Sequence, residues 1–123
     1  RYMELLRNLS EITLPDLNSC CNHTWFVFPI KVEEKIRDTV IAKLNERGIG
    51  SKAYFSPAIH MQEFYQQTFG YKEGDFPVAE KLSKTTLILP FYTDITEEEM
   101  DYVAESLKEI LVRADEQINK KEA

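Results

Sequence analysis

The stretch WFVFPIKVEEKIRDTVIAKLNERG, residues 25–48, decides the fold class because it joins a strand pattern directly to a helix pattern. Its first part, Trp25–Val32, is rich in aromatic and β-branched residues, which predicts a strand. One face of that strand would carry Phe26, Phe28, Ile30 and Val32. Pro29 removes a backbone donor, so we expect the strand to lie near an edge of its sheet or to carry a bulge.

The second part of the stretch predicts an amphipathic helix over Glu33–Arg47. Its apolar face consists of Ile36, Val40, Ile41 and Leu44. Acidic residues occupy the first turn and Arg47 the last, an arrangement that complements the helix dipole. Gly48 follows, and glycine readily takes the left-handed conformation found just after many helices.

Elements on both sides of this stretch complete an α+β pattern. Residues Arg1–Leu9 predict the end of a helix. Downstream, we expect a strand at Ile49–Phe55, a short helix from Met61 and a turn at Gly70–Gly74. A helix from Pro77 to Lys84, which Asp75 would cap, and a strand at Thr85–Leu89 follow. We therefore predict a two-layer α+β domain in which helices cover a small, mixed or mostly antiparallel sheet.

The last helix has the clearest start signal in the chain. Thr96 and Glu99 have the spacing of a capping box, and Ile95 with Met100 has that of a hydrophobic staple. Apolar residues then recur at helical spacing as far as Ile118. These signals predict a long helix that packs one face on the core.

Length and composition indicate one globular domain. The chain has 123 residues, of which 43% are hydrophobic and 29% charged, values typical of a folded protein with a real core. No apolar run approaches the roughly 20 residues that a membrane span requires. The net charge is −6 and the basic residues are scattered, which argues against nucleic acid as a partner.

The two cysteines, Cys20 and Cys21, are adjacent in the chain. Neighbouring cysteines rarely form a disulfide with each other, because the geometry of the bond is demanding. A chain without spaced cysteines fits a reducing cytoplasm, which is the localisation we expect. The alternative is a metal or redox pair, for which only His23 lies close by.

The segment Gly50–Glu80 gathers aromatic residues around a single histidine, His60. These aromatic residues are Tyr54, Phe55, Phe64, Tyr65, Phe69, Tyr71 and Phe76. The segment lacks the periodicity of a plain helix or strand. Such a mixture is typical of a surface segment that binds a polar ligand against an aromatic wall.

Three residues of this segment are candidates for ligand contact, each with a structural alternative. His60 could contact a ligand or bond to nearby backbone. Tyr54 could present its hydroxyl or cover the core, and Gln62 could reach a ligand or face solvent. No glycine-rich phosphate loop, nucleophile elbow or other complete catalytic constellation is present in the sequence, so no catalytic residue is assigned.

Three quoted segments together resemble a known enzyme family. They are TWFVFPIKV at 24–32, LNERGIGSKAYFSPAIHMQEFY at 44–65, and FGYKEGDFPVAEKLSKTTLILPFYTDITEEEMDYV at 69–103. In this order they resemble the C-terminal part of the DegT/DnrJ/StrS family of pyridoxal-phosphate-dependent sugar aminotransferases. The resemblance covers about Ile12 to Leu111, nearly the whole chain.

The resemblance implies the small domain of a fold-type I aminotransferase. In such enzymes a large domain holds pyridoxal phosphate and the lysine that binds it, and dimers build the active site. They move an amino group, usually from glutamate, to a nucleotide-linked keto sugar or, in some pathways, a ketocyclitol. On this basis residues 1–10 are the remnant of an interdomain helix, residues 11–118 the C-terminal small domain and residues 119–123 a frayed tail.

The resemblance also implies what this chain lacks and what it contributes. The large domain has no counterpart here, and neither Lys52 nor Lys72 has the setting of the cofactor lysine. We therefore expect this chain alone to bind no cofactor and not to transaminate. The segment matching Tyr54–Gln62 lies at the mouth of the family's active site, so His60, with Tyr54 and Gln62 behind it, is expected to contact the substrate.

The expected partners follow from the same resemblance. They are the N-terminal large domain, a second subunit and a nucleotide-sugar substrate. The face that meets the large domain should be apolar. The alternative is a non-catalytic regulatory or interaction module of the same fold.

Overall fold

The computed structural model describes residues 1–17 and 22–122, with side chains up to residue 114. The elements in chain order are helix α1 (Tyr2–Leu6), strand β1 (Phe28–Lys31), helix α2 (Glu34–Glu46), strand β2 (Lys52–Ala53), a 3₁₀ turn (Ile59–Met61), helix α3 (Glu63–Phe69), helix α4 (Pro77–Thr85), strand β3 (Thr86–Leu89) and helix α5 (Glu97–Glu122). The cysteine pair lies outside the described residues, so the interpretations attached to it stay predictions.

The three strands form a fully antiparallel sheet in the order β1-β3-β2. Phe28 of β1 lies opposite Leu89 of β3, and Lys52 of β2 lies opposite Ile88. Pro29 therefore lies on an outer strand, as its missing donor predicted. On the far side of β1, the described residues extend the sheet by a single bridge between Thr13 and Lys31.

One face of the sheet forms the core with helices α1, α2 and α5. The sheet contributes Phe28, Ile30, Leu87 and Leu89. The helices contribute Tyr2, Leu6, Ile36, Val40, Leu44, Val103, Ala104, Leu107, Ile110, Leu111 and Ala114. Alternate strand residues point to opposite faces, so Pro29, Lys31 and Thr86 belong to the other face. The predicted two-layer α+β fold is confirmed.

The C-terminal end of α2 and the start of α5 are those that the sequence predicted. Gly48 has φ +76°, and the amides of Gly48 and Ile49 donate to the carbonyls of Asn45 and Leu44, which ends α2 in a Schellman arrangement. At α5, the Thr96 amide donates to Glu99 Oε2 at 2.8 Å and the Glu99 amide donates to Thr96 Oγ1 at 3.1 Å. This reciprocal pair is the predicted capping box.

Both outer strands are shorter than predicted. Trp25 takes φ +52° and Phe26 is 81% exposed, so the chain becomes extended only from Phe28. Trp25 instead stacks on Phe28, with ring centroids 5.3 Å apart. On β2, the backbone of Ser51 exchanges two hydrogen bonds with the side chain of Asn45, which leaves a strand of two residues.

The prediction that Asp75 caps α4 is wrong. The N-cap residue is Phe76, and the Asp75 carboxylate accepts the amide of Lys72 in the preceding turn. The first predicted helix also ends early, at Leu6. Helix α5 extends to Glu122. The side chains beyond residue 114 lie outside the description, so the burial of Ile118 and the fraying of residues 119–123 stay predictions.

Candidate functional site

A groove with a volume of about 920 Å³ lies on the face of the sheet opposite the helical core. Pro29, Lys31 and Thr86 border it from the sheet. Residues 13–16 also line it. The rest of its lining comes from the segment between β2 and the end of α4, and includes Tyr54, Phe55, Ile59, His60, Tyr65, Phe69, Tyr71, Phe76, Ala79 and Leu82. The segment Gly50–Glu80, which the sequence singled out for its aromatic content, therefore supplies the aromatic side chains that line this groove.

The groove presents large apolar side chains to solvent. Phe55, Ile59, Phe69 and Phe76 are between 47% and 60% exposed. The rings are in contact along one wall: the centroids of Phe69 and Tyr71 lie 5.7 Å apart, and those of Tyr71 and Phe76 lie 5.5 Å apart. A concave apolar surface with a few polar groups is the usual form of a small-molecule site or of an interface.

His60, which lines the groove, makes a buried polar contact with Glu80. The ring nitrogen Nε2 of His60 lies 3.0 Å from Glu80 Oε1, and the two residues are only 7% and 8% exposed. The same oxygen accepts the backbone amides of Gly74 at 2.8 Å and Phe76 at 3.3 Å. The Phe76 ring packs edge-on against the imidazole, with centroids 4.9 Å apart. One carboxylate thus joins the 3₁₀ turn, the turn before α4 and α4 itself.

The local sequence explains why Glu80 takes this position. Pro77 stands in the first turn of α4 and has no amide hydrogen, and the N-cap residue Phe76 has no side-chain acceptor. The free amides just before the helix therefore need an acceptor from elsewhere. Glu80 lies one turn into α4, from where its side chain reaches back to Gly74 and Phe76.

These hydrogen bonds keep Glu80 ionised. Burial of the carboxyl raises its pKa, but the hydrogen bond from His60 and the amides of Gly74 and Phe76 lower it by more. The net effect holds the pKa of Glu80 below the ordinary value of 4.5. At neutral pH the carboxylate is therefore an acceptor only.

The structure brings two of the three candidate residues to the groove. Tyr54 lines it, half-buried, with its ring centroid 4.3 Å from that of Phe55. His60 also lines it, but with one ring nitrogen bonded to Glu80 rather than to backbone. Gln62 is exposed at the N-cap of α3, makes no capping hydrogen bond there, and is not among the residues lining the groove.

Glu80 is the residue that sequence reasoning missed. The sequence offered a signal, because α4 begins with a proline after a residue that cannot cap, and a carboxylate follows within one turn. That signal identifies an acceptor for the helix start. It does not reveal the histidine on the same oxygen, which lies twenty residues away in the chain.

No group of three or more His, Cys, Asp or Glu residues within 1–17 and 22–122 is arranged to hold a metal ion. Within the same ranges, no helix combines the length and the apolar character needed to cross a membrane.

Comparison with known proteins finds one family whose model matches most of the chain. The model of the DegT/DnrJ/EryC1/StrS aminotransferase family matches residues 1–108. The spore coat polysaccharide biosynthesis protein SpsC of Bacillus subtilis is 33% identical over 120 residues, which cover 94% of this chain and 31% of SpsC.

Two solved structures extend this similarity to the fold. NtdA from Bacillus subtilis, solved with bound cofactor PMP, is 33% identical with a TM-score of 0.77 over 90% of this chain and 26% of its own. DesI, solved in the presence of its TDP-sugar product, is 26% identical with a TM-score of 0.81 over 99% of this chain and 31% of its own. The chain therefore spans less than a third of the length of each of these proteins.

The described residues do not themselves fit a complete site for pyridoxal phosphate. Lys52 and Lys72 are exposed and do not line the groove. The carboxylate beside His60, that of Glu80, is buried and is bonded through Oε1 to the His60 ring and to two amides, so it already has a structural role. The aromatic groove fits one wall of a site rather than a cofactor site.

Proposed function

The chain belongs to the DegT/DnrJ/EryC1/StrS aminotransferase family, and from this premise we propose that it is the small C-terminal domain of a pyridoxal-phosphate-dependent aminotransferase that acts on nucleotide-linked keto sugars. In this proposal residues 11–118 form the domain and residues 1–10 belong to the helix that leads into it. The family match over residues 1–108 is the observation that carries the proposal.

The relatives support the cofactor and the substrate class. The cofactor PMP bound to NtdA supports a pyridoxal-type cofactor for the whole protein, and the TDP-sugar product of DesI supports a nucleotide sugar. When bound, such a cofactor stores electrons from the bond that breaks and carries the amino group. Its lysine and most of its contacts would come from the large domain.

In this proposal the groove is the substrate-side wall of the active site. Its aromatic rings give a sugar or a base flat apolar surfaces to pack on. Tyr54 and His60 line the groove, and Gln62 lies exposed at the start of α3, next to the turn that carries His60. Their role is to position the acceptor sugar rather than to transfer protons.

The proposal includes partners and a location for the whole protein. The N-terminal large domain and a second subunit complete the active site, and the enzyme works in the cytoplasm. The chain alone binds no cofactor and transfers no amino group. The exposed apolar side chains of the groove supply a surface for such contacts.

The test compares this chain with the protein encoded by the complete gene. We expect the complete protein to retain pyridoxal phosphate through gel filtration and to transfer nitrogen from ¹⁵N-glutamate to a nucleotide-linked keto sugar, detected by mass spectrometry. The 123-residue chain, treated identically, should do neither. A complete protein that folds but retains no cofactor would overturn the catalytic proposal and favour the regulatory or interaction module.

A further inference from the structure

The arrangement of hydrogen bonds on Glu80 fixes the position of one proton on His60. An ionised carboxylate can only accept, and Oε1 of Glu80 lies 3.0 Å from Nε2 of His60. The hydrogen of the neutral ring must therefore be on Nε2. The other ring nitrogen, Nδ1, then carries a lone pair and can only accept.

The second nitrogen has no partner within the described residues. The hydrogen bond to Glu80 is the only one that the described part of the chain makes to the His60 ring. In that part the only buried side-chain nitrogen or oxygen without a hydrogen bond is Nε of Arg37, which is ion-paired with Asp38, so Nδ1 of His60 is reached by solvent. Because His60 lines the groove, Nδ1 is available to a donor that enters there.

We propose that Glu80 is a positioning residue that holds His60 with Nε2–H turned toward α4 and Nδ1 presented as a hydrogen-bond acceptor to a hydroxyl group of the substrate. The inference rests on the proposed function, since it names how one residue of that site meets the sugar. It assigns Glu80 an indirect role, because its carboxylate touches His60 and not the substrate.

Two further contacts make this position well defined. The same Oε1 holds the amides of Gly74 and Phe76, and the Phe76 ring packs edge-on against the imidazole. The ring of His60 is therefore held at its nitrogen by the carboxylate and on its side by Phe76. A site that presents a single acceptor in a fixed place discriminates against analogues that lack the matching donor.

The proton position is measured directly on this chain by ¹⁵N NMR of its histidine rings. The chain has only two histidines, so a His23→Gln variant assigns both rings. At about pH 8.5, where an ordinary imidazole is neutral, we expect His60 to be the Nε2–H tautomer. A His60 ring protonated on Nδ1 in the unmodified chain overturns the proposal without any variant that might fail to fold.

Variants of Glu80 test whether this residue sets the tautomer. In Glu80→Ala we expect His60 to become a mixture of tautomers. Glu80→Gln keeps an acceptor oxygen in place and should retain the Nε2–H form. The ring of His23, whose Nδ1 accepts the amide of Trp25, serves as the internal control and should not change. An unchanged His60 tautomer in a folded Glu80→Ala chain overturns the proposal.

Kinetics of the complete protein test whether the position matters for the substrate. We expect Glu80→Ala to raise KM for the keto sugar about tenfold, the effect of losing one well-placed hydrogen bond, with a much smaller change for glutamate. Because Glu80 acts through His60, adding Glu80→Ala to His60→Ala should cost little more than His60→Ala alone. The exposed Glu73, which pairs with Lys84, provides the matched control variant Glu73→Ala.

The outcomes separate this inference from the proposed function. A complete protein that transfers no amino group to any keto sugar overturns the proposed function, and the NMR result on the chain then still decides the tautomer. The proposed function stands if the complete protein is active. The positioning role of Glu80 is then overturned if Glu80→Ala and His60→Ala act additively, or if Glu80→Ala raises KM equally for the keto sugar and for glutamate.

Discussion

The Glu80 carboxylate lies 3.0 Å from the ring of His60, a residue that lines the groove, although twenty residues separate the two in the chain. The contact links the 3₁₀ turn, Ile59–Met61, to the N-terminal part of α4. Both side chains are buried, and the His60 ring has its one hydrogen bond within the described residues to Glu80, which also accepts the amides of Gly74 and Phe76. The contact should therefore affect both the free energy of unfolding of the chain and the geometry of the groove.

Stability should depend on pH through Glu80. The folded-state pKa of Glu80 is lower than its ordinary value of 4.5, so its stabilising effect is present above that value and is lost as the pH falls through the folded pKa. In urea unfolding experiments we expect the chain to be more stable than Glu80→Gln at neutral pH, with a difference that shrinks below pH 4.5. A difference that is constant down to about pH 3 would contradict this linkage. Glu73→Gln is the control.

Gly48 should be the less replaceable of two neighbouring glycines. A Cβ added at either Gly48 or Gly50 meets nothing within 4 Å, so space is equal at the two positions. Only Gly48 has a positive φ, +76°, which a residue with a Cβ adopts at a cost of about 1 kcal/mol. Urea unfolding should show that loss for Gly48→Ala and none for Gly50→Ala. Equal effects would mean that the left-handed cap is not what constrains Gly48.

The capping box should contribute measurably to α5. Thr96→Ala removes the hydroxyl that accepts the Glu99 amide, and we expect a loss of about 1 kcal/mol in the free energy of unfolding. Thr93→Ala, at an exposed threonine of the same loop for which the structure gives no hydrogen bond to a described residue, should have little effect. Chemical denaturation followed by circular dichroism measures both variants. If Thr93→Ala lowered the free energy of unfolding as much as Thr96→Ala, the loss in Thr96→Ala could not be attributed to the capping box.

The apolar groove should make this chain self-associate. Phe69 is 60% exposed on its wall, beside Tyr71 and Tyr65. We expect sedimentation to show weight-average mass rising with concentration, and Phe69→Ser to weaken that rise. Val112→Ser removes a side chain of similar exposure, 56%, from α5 and is the control. A strict monomer at high concentration would contradict the prediction.

The sequence predicted part of the candidate site. It identified the aromatic segment, and Tyr54 and His60 do line one groove, because residues that lie close together in one irregular segment tend to meet on one surface. Gln62 lies only two residues after His60, yet its side chain faces solvent. Which side of a turn each residue takes depends on what the turn packs against, and that is not a local property.

The sequence by itself determined the elements whose cause is local. These are the amphipathic face of α2, the glycine after it and the capping box of α5. Each depends on residues a few positions apart, so the sequence pattern alone predicts it. Only the tertiary structure decided the strand ends, where Trp25 leaves the extended conformation, and the site, where Glu80 meets His60. The amides of Gly74 and Phe76 lie within six residues of Glu80, but the third donor, His60, lies twenty residues away, and its approach depends on how the whole chain packs.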